Sequence, residues 1–357
     1  MTELKIRPAI AADLPEMLRV ITSSFSPWPQ FKTGVSALDH LTWKLGPGGI
    51  DDIGEHTVVE LDGRVVASRL RWISHAQVAG QEFVTEMGAD LAVDPAYQGR
   101  GIAREMTTYR EAWEEDHGHL NFGTPTQHML RDRGDEEARH FHLLTVWQRY
   151  SGIGALVAAR PRRRAVARVL GAAARTTRAI ARRSPRTGRS VTITDLDRFD
   201  SATDRLWERA REQFDIAAVR TAPYLNWRHC DARGGATTVL AAMEGQRCLG
   251  YAVSKPAENV ANVVDLLADP DRLDVIEPLL AAAAGRMKAR GCGTLACWLP
   301  PGHVYESALR ASGFVATGEG AFTFANGQRL SGPPEVAALA VHPATRYHVT
   351  LGDFDFV

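Results

Sequence analysis

Apolar positions along the chain follow two periods, and their alternation predicts a repeated series of strands and helices. Apolar runs at residues 57–61 and 64–68 flank Asp62-Gly63, and runs at 239–242 and 248–253 flank Glu244-Gly245-Gln246. Acid-glycine turns between apolar runs predict two hairpins. After the first hairpin and a turn near Ala79-Gly80, residues 82–94 read as one long strand. Ile102, Met106, Tyr109 and Trp113 then recur at the spacing of one helix face, and Gly118 is a natural end for that helix. Ahead of the hairpins, His40-Leu41-Thr42-Trp43-Lys44 recurs as Tyr224-Leu225-Asn226-Trp227-Arg228. The shared order of aromatic, Leu, polar, Trp and basic residues predicts that the second half of the chain repeats the first.

Composition narrows the class. The chain has 357 residues, of which 45% are apolar and 24% charged, and this excludes a disordered or collagen-like protein. At about 100 to 200 residues per domain, the length predicts two domains with a core each. Lys and Arg total 42, as do Asp and Glu, but the balance is uneven. Residues 151–194 hold 11 Arg, no Lys and no acid, leaving the remainder at a net charge of minus 11. Within that stretch Arg164, Arg168, Arg175, Arg178 and Arg182 share one helix face, opposite Val166, Val169, Leu170, Ala173 and Ile180. The expected organisation is a domain at 1–157, an Arg-rich amphipathic linker helix at 158–189 and a domain at 190–357. No apolar run reaches the roughly 18 residues of a membrane span, and Met1 to Lys5 open no signal peptide, so a cytoplasmic location is expected. Cys230, Cys248, Cys292 and Cys297 form no metal-ligand spacing and are expected as small buried residues, with no metal site.

The chemistry is expected at the end of the long strand. Asp94-Pro95 stops it, and Gln98-Gly99-Arg100-Gly101-Ile102-Ala103 leads into the helix. A strand entering a helix through glycines leaves main-chain N–H groups unpaired and pointing outward, which is a phosphate site. Arg100 and Arg104 add charge at its rim. A Walker loop is excluded because no Gly-Lys-Ser/Thr follows, and a dinucleotide fingerprint is excluded because Arg104 stands where its third glycine belongs.

The pattern Gln98-x-x-Gly101-x-Ala103 after Leu91-Ala92-Val93-Asp94-Pro95 resembles the acetyl-CoA site of the GNAT superfamily of N-acetyltransferases. The preceding order fits as well. Ile6-Arg7-Pro8-Ala9 resembles the family's first strand, and Asp13-Leu14-Pro15-Glu16 a first helix with Asp13 as N-cap. The resemblance implies an α/β (α+β) fold with a mixed sheet and two GNAT-like domains, the second degenerate. There, Asp269-Pro270 matches Asp94-Pro95, but Asp271-Arg272-Leu273-Asp274 offers acids and no glycine, so a pyrophosphate would be repelled.

The resemblance further implies that Leu91, Ala92 and Val93 polarise the thioester carbonyl, and that Gln98, Gly99, Arg100, Gly101, Ile102, Ala103 and Arg104 hold the pyrophosphate. An alkyl amine is mostly ammonium at neutral pH, so a base must take a proton before it attacks. Glu86 and Asp90 lie on the strand leading to the site and share a face unless a bulge intervenes. His128 is a third candidate, with His140 and His142 nearby. Some two-domain members of the family use their terminal carboxylate, which draws attention to residues 353–357, but the aromatic-acid alternation there is read in preference as a final strand packed at the domain interface. The expected function is acetyl transfer from acetyl-CoA to the primary amine of a small molecule. The alternative is a non-catalytic acyl-CoA-binding or nucleic-acid-associated module that uses the Arg-rich helix. Under the enzyme reading nucleic acid is not an expected partner, and a homodimer is left open.

Overall fold

A computed structural model describes residues 4–29, 33–117, 119–124, 142–152, 191–324 and 333–355. The first half opens with β1 (Leu4–Pro8), α1 (Leu14–Ser24) and α2 (Ala37–Lys44), followed by β2 (Thr57–Leu61), β3 (Arg64–Val78) and β4 (Gln81–Val93). Next come α3 (Ile102–His117), β5 (Leu120–Gly123) and β6 (His142–Tyr150). The second half has β7 (Thr192–Asp195), α4 (Ser201–Ala210), β8 (Ile216–Ala218) and α5 (Ala222–Leu225), whose last turn runs on as a π-turn over Asn226–Cys230. Then follow β9 (Thr238–Glu244), β10 (Arg247–Ala257), β11 (Val260–Ala268), α6 (Ile276–Ala289), β12 (Thr294–Leu299) and α7 (Glu306–Ala311). The described elements end with β13 (Val315–Phe324), α8 (Pro334–Val341) and β14 (Tyr347–His348).

The hairpins form where the turns predict. Asp62 and Gly63 both have positive φ, 52° and 75°, the pair a tight two-residue turn needs. β1 to β4 are antiparallel neighbours, and β4 takes β5 in parallel. The second half repeats this. β7, β9, β10 and β11 are antiparallel neighbours, and β11 takes β12 in parallel.

One sheet runs through both halves because β6 of the first and β13 of the second are exchanged. Its order is β1-β2-β3-β4-β5-β13-β6-β12-β11-β10-β9-β7. Thus β13, from the second half, pairs β5 and β6, while β6 pairs β12. The end of β3 also pairs β8, which is parallel to β14. The result is a mixed α/β fold, as the sequence predicts.

The repeated pentapeptide falls on two helical turns that meet. Trp43 and Trp227 are both buried, at 1% and 8% exposure, with ring centroids 5.6 Å apart. Trp72 of β3 closes a three-ring cluster, 6.2 Å from Trp43 and 5.3 Å from Trp227. Truncating a buried Trp to Ala costs about 3–5 kcal/mol, so this cluster is a main contributor to the contact between halves.

Two local expectations differ. The Asp13 carboxylate does not cap α1: it bonds Arg7 at 2.6 and 2.9 Å and the Ile10 N–H at 2.8 Å, closing the short turn before the helix. The competing Arg7 charge holds it there. Cys248, Cys292 and Cys297 are buried as expected, but Cys230 is only half-buried. Among the described residues no helix is long and apolar enough to cross a membrane.

Candidate active site

The site begins with a fault in the β3–β4 ladder. Leu70 pairs Ala89, but the next pair is Ser68 with Ala92, so β4 carries an extra residue. Asp90 sits in this bulge with φ of +43°, and Leu91 beside it is 36% exposed. On its other edge β4 pairs β5 only at Thr85–Leu120 and Glu86–Asn121. Beyond that point β5 pairs β13 through Phe122 and Gly123, and the two parallel strands splay apart. Past Glu86 that edge of β4 has no further pairing with β5 among the described residues, although the Val93 carbonyl accepts from Ser24 and Gln98. Leu91, Ala92 and Val93 therefore lie together along one wall of a cleft.

The cleft ends at the glycine turn. Arg19 of α1 bonds Asp94 at 2.6 Å and the Val65 carbonyl at 2.8 Å, and this bond holds the Asp94 carboxyl below the usual carboxylate range. Asp94 in turn accepts from the Ala96 N–H at 3.0 Å, fixing the start of the turn. Gln98 donates its amide to the Val93 carbonyl at 3.0 Å. Gly99 and Gly101 have φ of +75° and +82°, which L side chains rarely adopt, and Cβ atoms there would meet open space. The N–H groups of residues 98–103 find no acceptor among the described residues. Ile102 and Met106 are buried against Val59, Val66 and Ala67 and anchor the start of α3. Arg100 lies over the Tyr97 ring at 5.0 Å, and Arg104 is exposed on the first turn of α3. Six amides with no acceptor among the described residues thus stand at the entry to a 16-residue helix, an arrangement whose chemistry suits an anion.

The bulge separates the two candidate carboxylates. Glu86 is fully buried, 3.6 Å from the Arg71 guanidinium, which lies 4.0 Å over the Trp113 ring of α3. Asp90 instead accepts from Lys44 of α2 at 2.7 Å. Asp355 lies 3.8 Å from the same ammonium, and burial pushes its carboxyl up. The structure thus brings together Asp90, Lys44 and Asp355, and places Glu86 elsewhere. His128 and His140 lie outside the described residues. His142 packs on Phe322 and Tyr347, with Nε2 3.3 Å from the Tyr347 hydroxyl.

Two groups beside this cluster were missed from the sequence. Lys255 of β10 is buried, donates to the Gly234 carbonyl at 2.7 Å, and is pushed down to about 7 by burial and the neighbouring Arg228 and Lys44 charges. The His40 ring bonds the Arg233 carbonyl at 2.8 Å and is lowered to about 4 by burial. Lys44 itself reads in the sequence only as the basic end of the repeated pentapeptide. Nothing local distinguishes it from an exposed lysine.

The second half has the same frame with its cleft filled. Arg209 bonds Asp269 at 2.7 Å and the Cys248 carbonyl at 2.8 Å, repeating the bonds of Arg19. Arg247 adds a bond to Asp269 at 2.8 Å, and Arg64 lies 3.6 Å from Asp94. The ladder of β10 and β11 shifts register at Val253–Ser254, and β11 leaves β12 after Val263–Cys297. Here the Tyr305 hydroxyl accepts the Ala268 N–H at 3.0 Å, occupying an edge that β4 leaves open. The turn Leu351–Asp353 packs against β11, and Gly352 lies so close to the Val264 carbonyl that a Cβ would collide with it. Arg272, where a phosphate would approach, is tied to Asp274 and Glu244 at 2.9 and 3.3 Å.

No family model matches the sequence, and no curated protein matches it. Solved structures do match its fold. A GCN5-related N-acetyltransferase of Anabaena variabilis ATCC 29413 superposes with a TM-score of 0.62 at 9% identity, covering 92% of this chain and 73% of that one. A probable N-acyltransferase of Enterococcus faecalis V583, described as a conserved protein of unknown function, gives 0.59 at 10% identity, covering 90% and 72%. A GCN5-related N-acetyltransferase of Kribbella flavida gives 0.57 at 14% identity, covering 90% and 71%. The chain has the fold of the GNAT superfamily of N-acetyltransferases.

Proposed function

We propose that the chain is an acetyl-CoA-dependent N-acetyltransferase acting on the primary amine of a small molecule. In this reading residues 1–157 and 190–357 are two GNAT-like domains, the first catalytic and the second degenerate, with 158–189 as linker. One observation carries the reading: the splay of β4 from β5 leads to six amides, Gln98 to Ala103, that have no acceptor among the described residues. The matching edge of the second half is filled by Tyr305 and the turn at 351–353.

The residues fit acetyl-CoA, which supplies the activated acyl group when bound. Gln98 to Ala103 would hold its pyrophosphate through main-chain N–H groups, with Arg100 and Arg104 at the rim. The edge of Leu91 to Val93 would polarise the carbonyl and align it for attack. Attack by the amine nitrogen forms the amide bond and breaks the carbon–sulfur bond, so the amine sheds a proton and the thiolate gains one. Asp90 and Asp355, joined through Lys44, are the carboxylates placed to take the amine proton. Burial holds the Asp355 carboxyl above its ordinary value, so once ionised it accepts a proton more readily, and Asp355 is the preferred base. Glu86 is fully buried beside Arg71 and is assigned a structural part with it.

Thiol release from acetyl-CoA with a panel of primary amines tests the function. Turnover is expected to fall at least about tenfold in Asp355→Asn and to change its pH dependence, while Glu86→Gln keeps the wild-type pH profile. Absence of thiol release with every amine would refute the reading. The module alternative rests on the Arg-rich stretch, which lies outside the described residues.

A further inference from the structure

Segment 350–355 is held by the second half and delivered to the first. Thr350 and Asp353 close a reciprocal turn, with Thr350 N–H bonding Asp353 at 2.8 Å. Arg220 clamps that turn through Asp353 at 2.9 Å and Asp265 at 3.0 Å. Arg228 donates to the Gly352 carbonyl at 2.9 Å and to the Phe354 carbonyl at 2.6 Å. Its guanidinium lies over Trp72 at 4.4 Å and Trp43 at 5.4 Å. Phe354 stacks on Phe122 of β5, with centroids 5.3 Å apart and planes 17° from parallel. Asp355 then meets Lys44 beside Asp90. Asp353 is thus anchored in the second half by Arg220, and Asp355, two residues on, lies beside Lys44 and Asp90 of the first.

We propose that the second half uses its own cleft to grip segment 350–355 and present Asp355 to the reaction centre, with Arg228 as the positioning residue. This rests on the acetyltransferase reading above. The arrangement explains why a planar, fully charged side chain is buried there. Arg228 bridges two carbonyls two residues apart, and its stacked aromatic neighbours fix the plane in which it donates. A lysine keeps the charge and one donor direction but loses the fork. The groups facing Asp355 are Lys44 from α2, Asp90 from β4 and Arg228 from the π-turn, with Lys255 and His40 beyond Lys44.

The test compares Arg228→Met and Arg228→Lys with the wild type and with Asp355→Asn. Expected for Arg228→Met are a kcat at least about tenfold lower, a KM for acetyl-CoA within about twofold, and a shifted pH profile. Arg228→Lys should recover part of kcat. In the Asp355→Asn background Arg228→Met should add little, because both changes remove the same placed carboxylate. Hydrogen exchange should quicken in residues 350–355 of Arg228→Met and stay slow in β11. Wild-type kcat and pH profile in Arg228→Met, or losses that add fully to those of Asp355→Asn, would overturn the proposal. If Arg228→Met does not fold, Arg228→Lys takes its place: a kcat between those of the wild type and Asp355→Asn with faster exchange at 350–355 supports the proposal, and wild-type kcat or unchanged exchange there overturns it. Wild-type protein inert toward every amine would refute the acetyltransferase reading alone. Unchanged exchange at 350–355 in a folded Arg228 variant would refute the grip itself, whatever the activity.

Discussion

Trp43 and Trp227 each donate an indole N–H to the other's main-chain carbonyl, at 2.9 and 3.1 Å. Residues 184 positions apart thus make the same bond in both directions, as two copies do across a two-fold axis. The exchange places α2 against the π-turn after α5, so Lys44 and Arg228, the next residues on each side, both enter the region where Asp355 lies.

Trp43→Phe keeps most of the ring and removes one donor, leaving the Trp227 carbonyl buried without it. A loss of about 1–3 kcal/mol is expected, read as a lower urea midpoint. The double variant Trp43→Phe/Trp227→Phe should cost less than the two single losses combined, since the bonds share one geometry.

Tyr305→Phe removes the hydroxyl that accepts from Ala268 and strands that N–H in the core of the second half. Stability should fall by about 1–3 kcal/mol in urea denaturation. Coenzyme A should still bind with the wild-type stoichiometry, because the Arg272–Glu244–Asp274 network continues to occupy the place of a phosphate turn.

Stability should fall on mild acidification. Burial lowers His40, His56 and His229 to about 4 and His303 to about 3, from an ordinary value near 6.5. His56 shows the reason: Nδ1 accepts the Arg71 N–H at 3.0 Å and Nε2 lies 3.2 Å from the Leu45 carbonyl, so a proton on Nδ1 would face another proton. These groups are neutral in both states above pH 6.5, where their contribution is complete. Between about 6.5 and 4 the unfolded chain binds protons that the folded chain refuses, and stability drops by up to about 1.4 kcal/mol per pH unit for each ring. Urea midpoints measured from pH 7 to 4.5 check this, together with proton uptake on unfolding. A flat profile would contradict it.

Much of the fold was legible because its signals are local. Asp62-Gly63 sets a turn by backbone conformation, the 102–113 periodicity sets a helix face, and Gln98 to Ala103 needs only a strand before it and a helix after it. The exchange of β6 and β13 was not legible, since strand partners depend on contacts between residues nearly two hundred positions apart. The same limit applies to the site. Period-two alternation put Glu86 and Asp90 on one face, and a single extra residue in β4 sent Asp90 to Lys44. The grouping of Lys44, Lys255 and Asp355 joins three separate elements and leaves no local spacing to read.

Main-chain amides at residues 98–103 are expected to bind a diphosphate, and the second half is expected to bind none. Calorimetric titration with coenzyme A tests this directly, comparing wild type with Gly101→Asp, where a Cβ meets positive φ and a carboxylate faces the amides. The expected result is one site per chain in the wild type and at least about 100-fold weaker binding, about 2.7 kcal/mol, in a variant that stays folded at the temperature of the titration. Two sites per chain, or wild-type affinity in a folded Gly101→Asp, would contradict it.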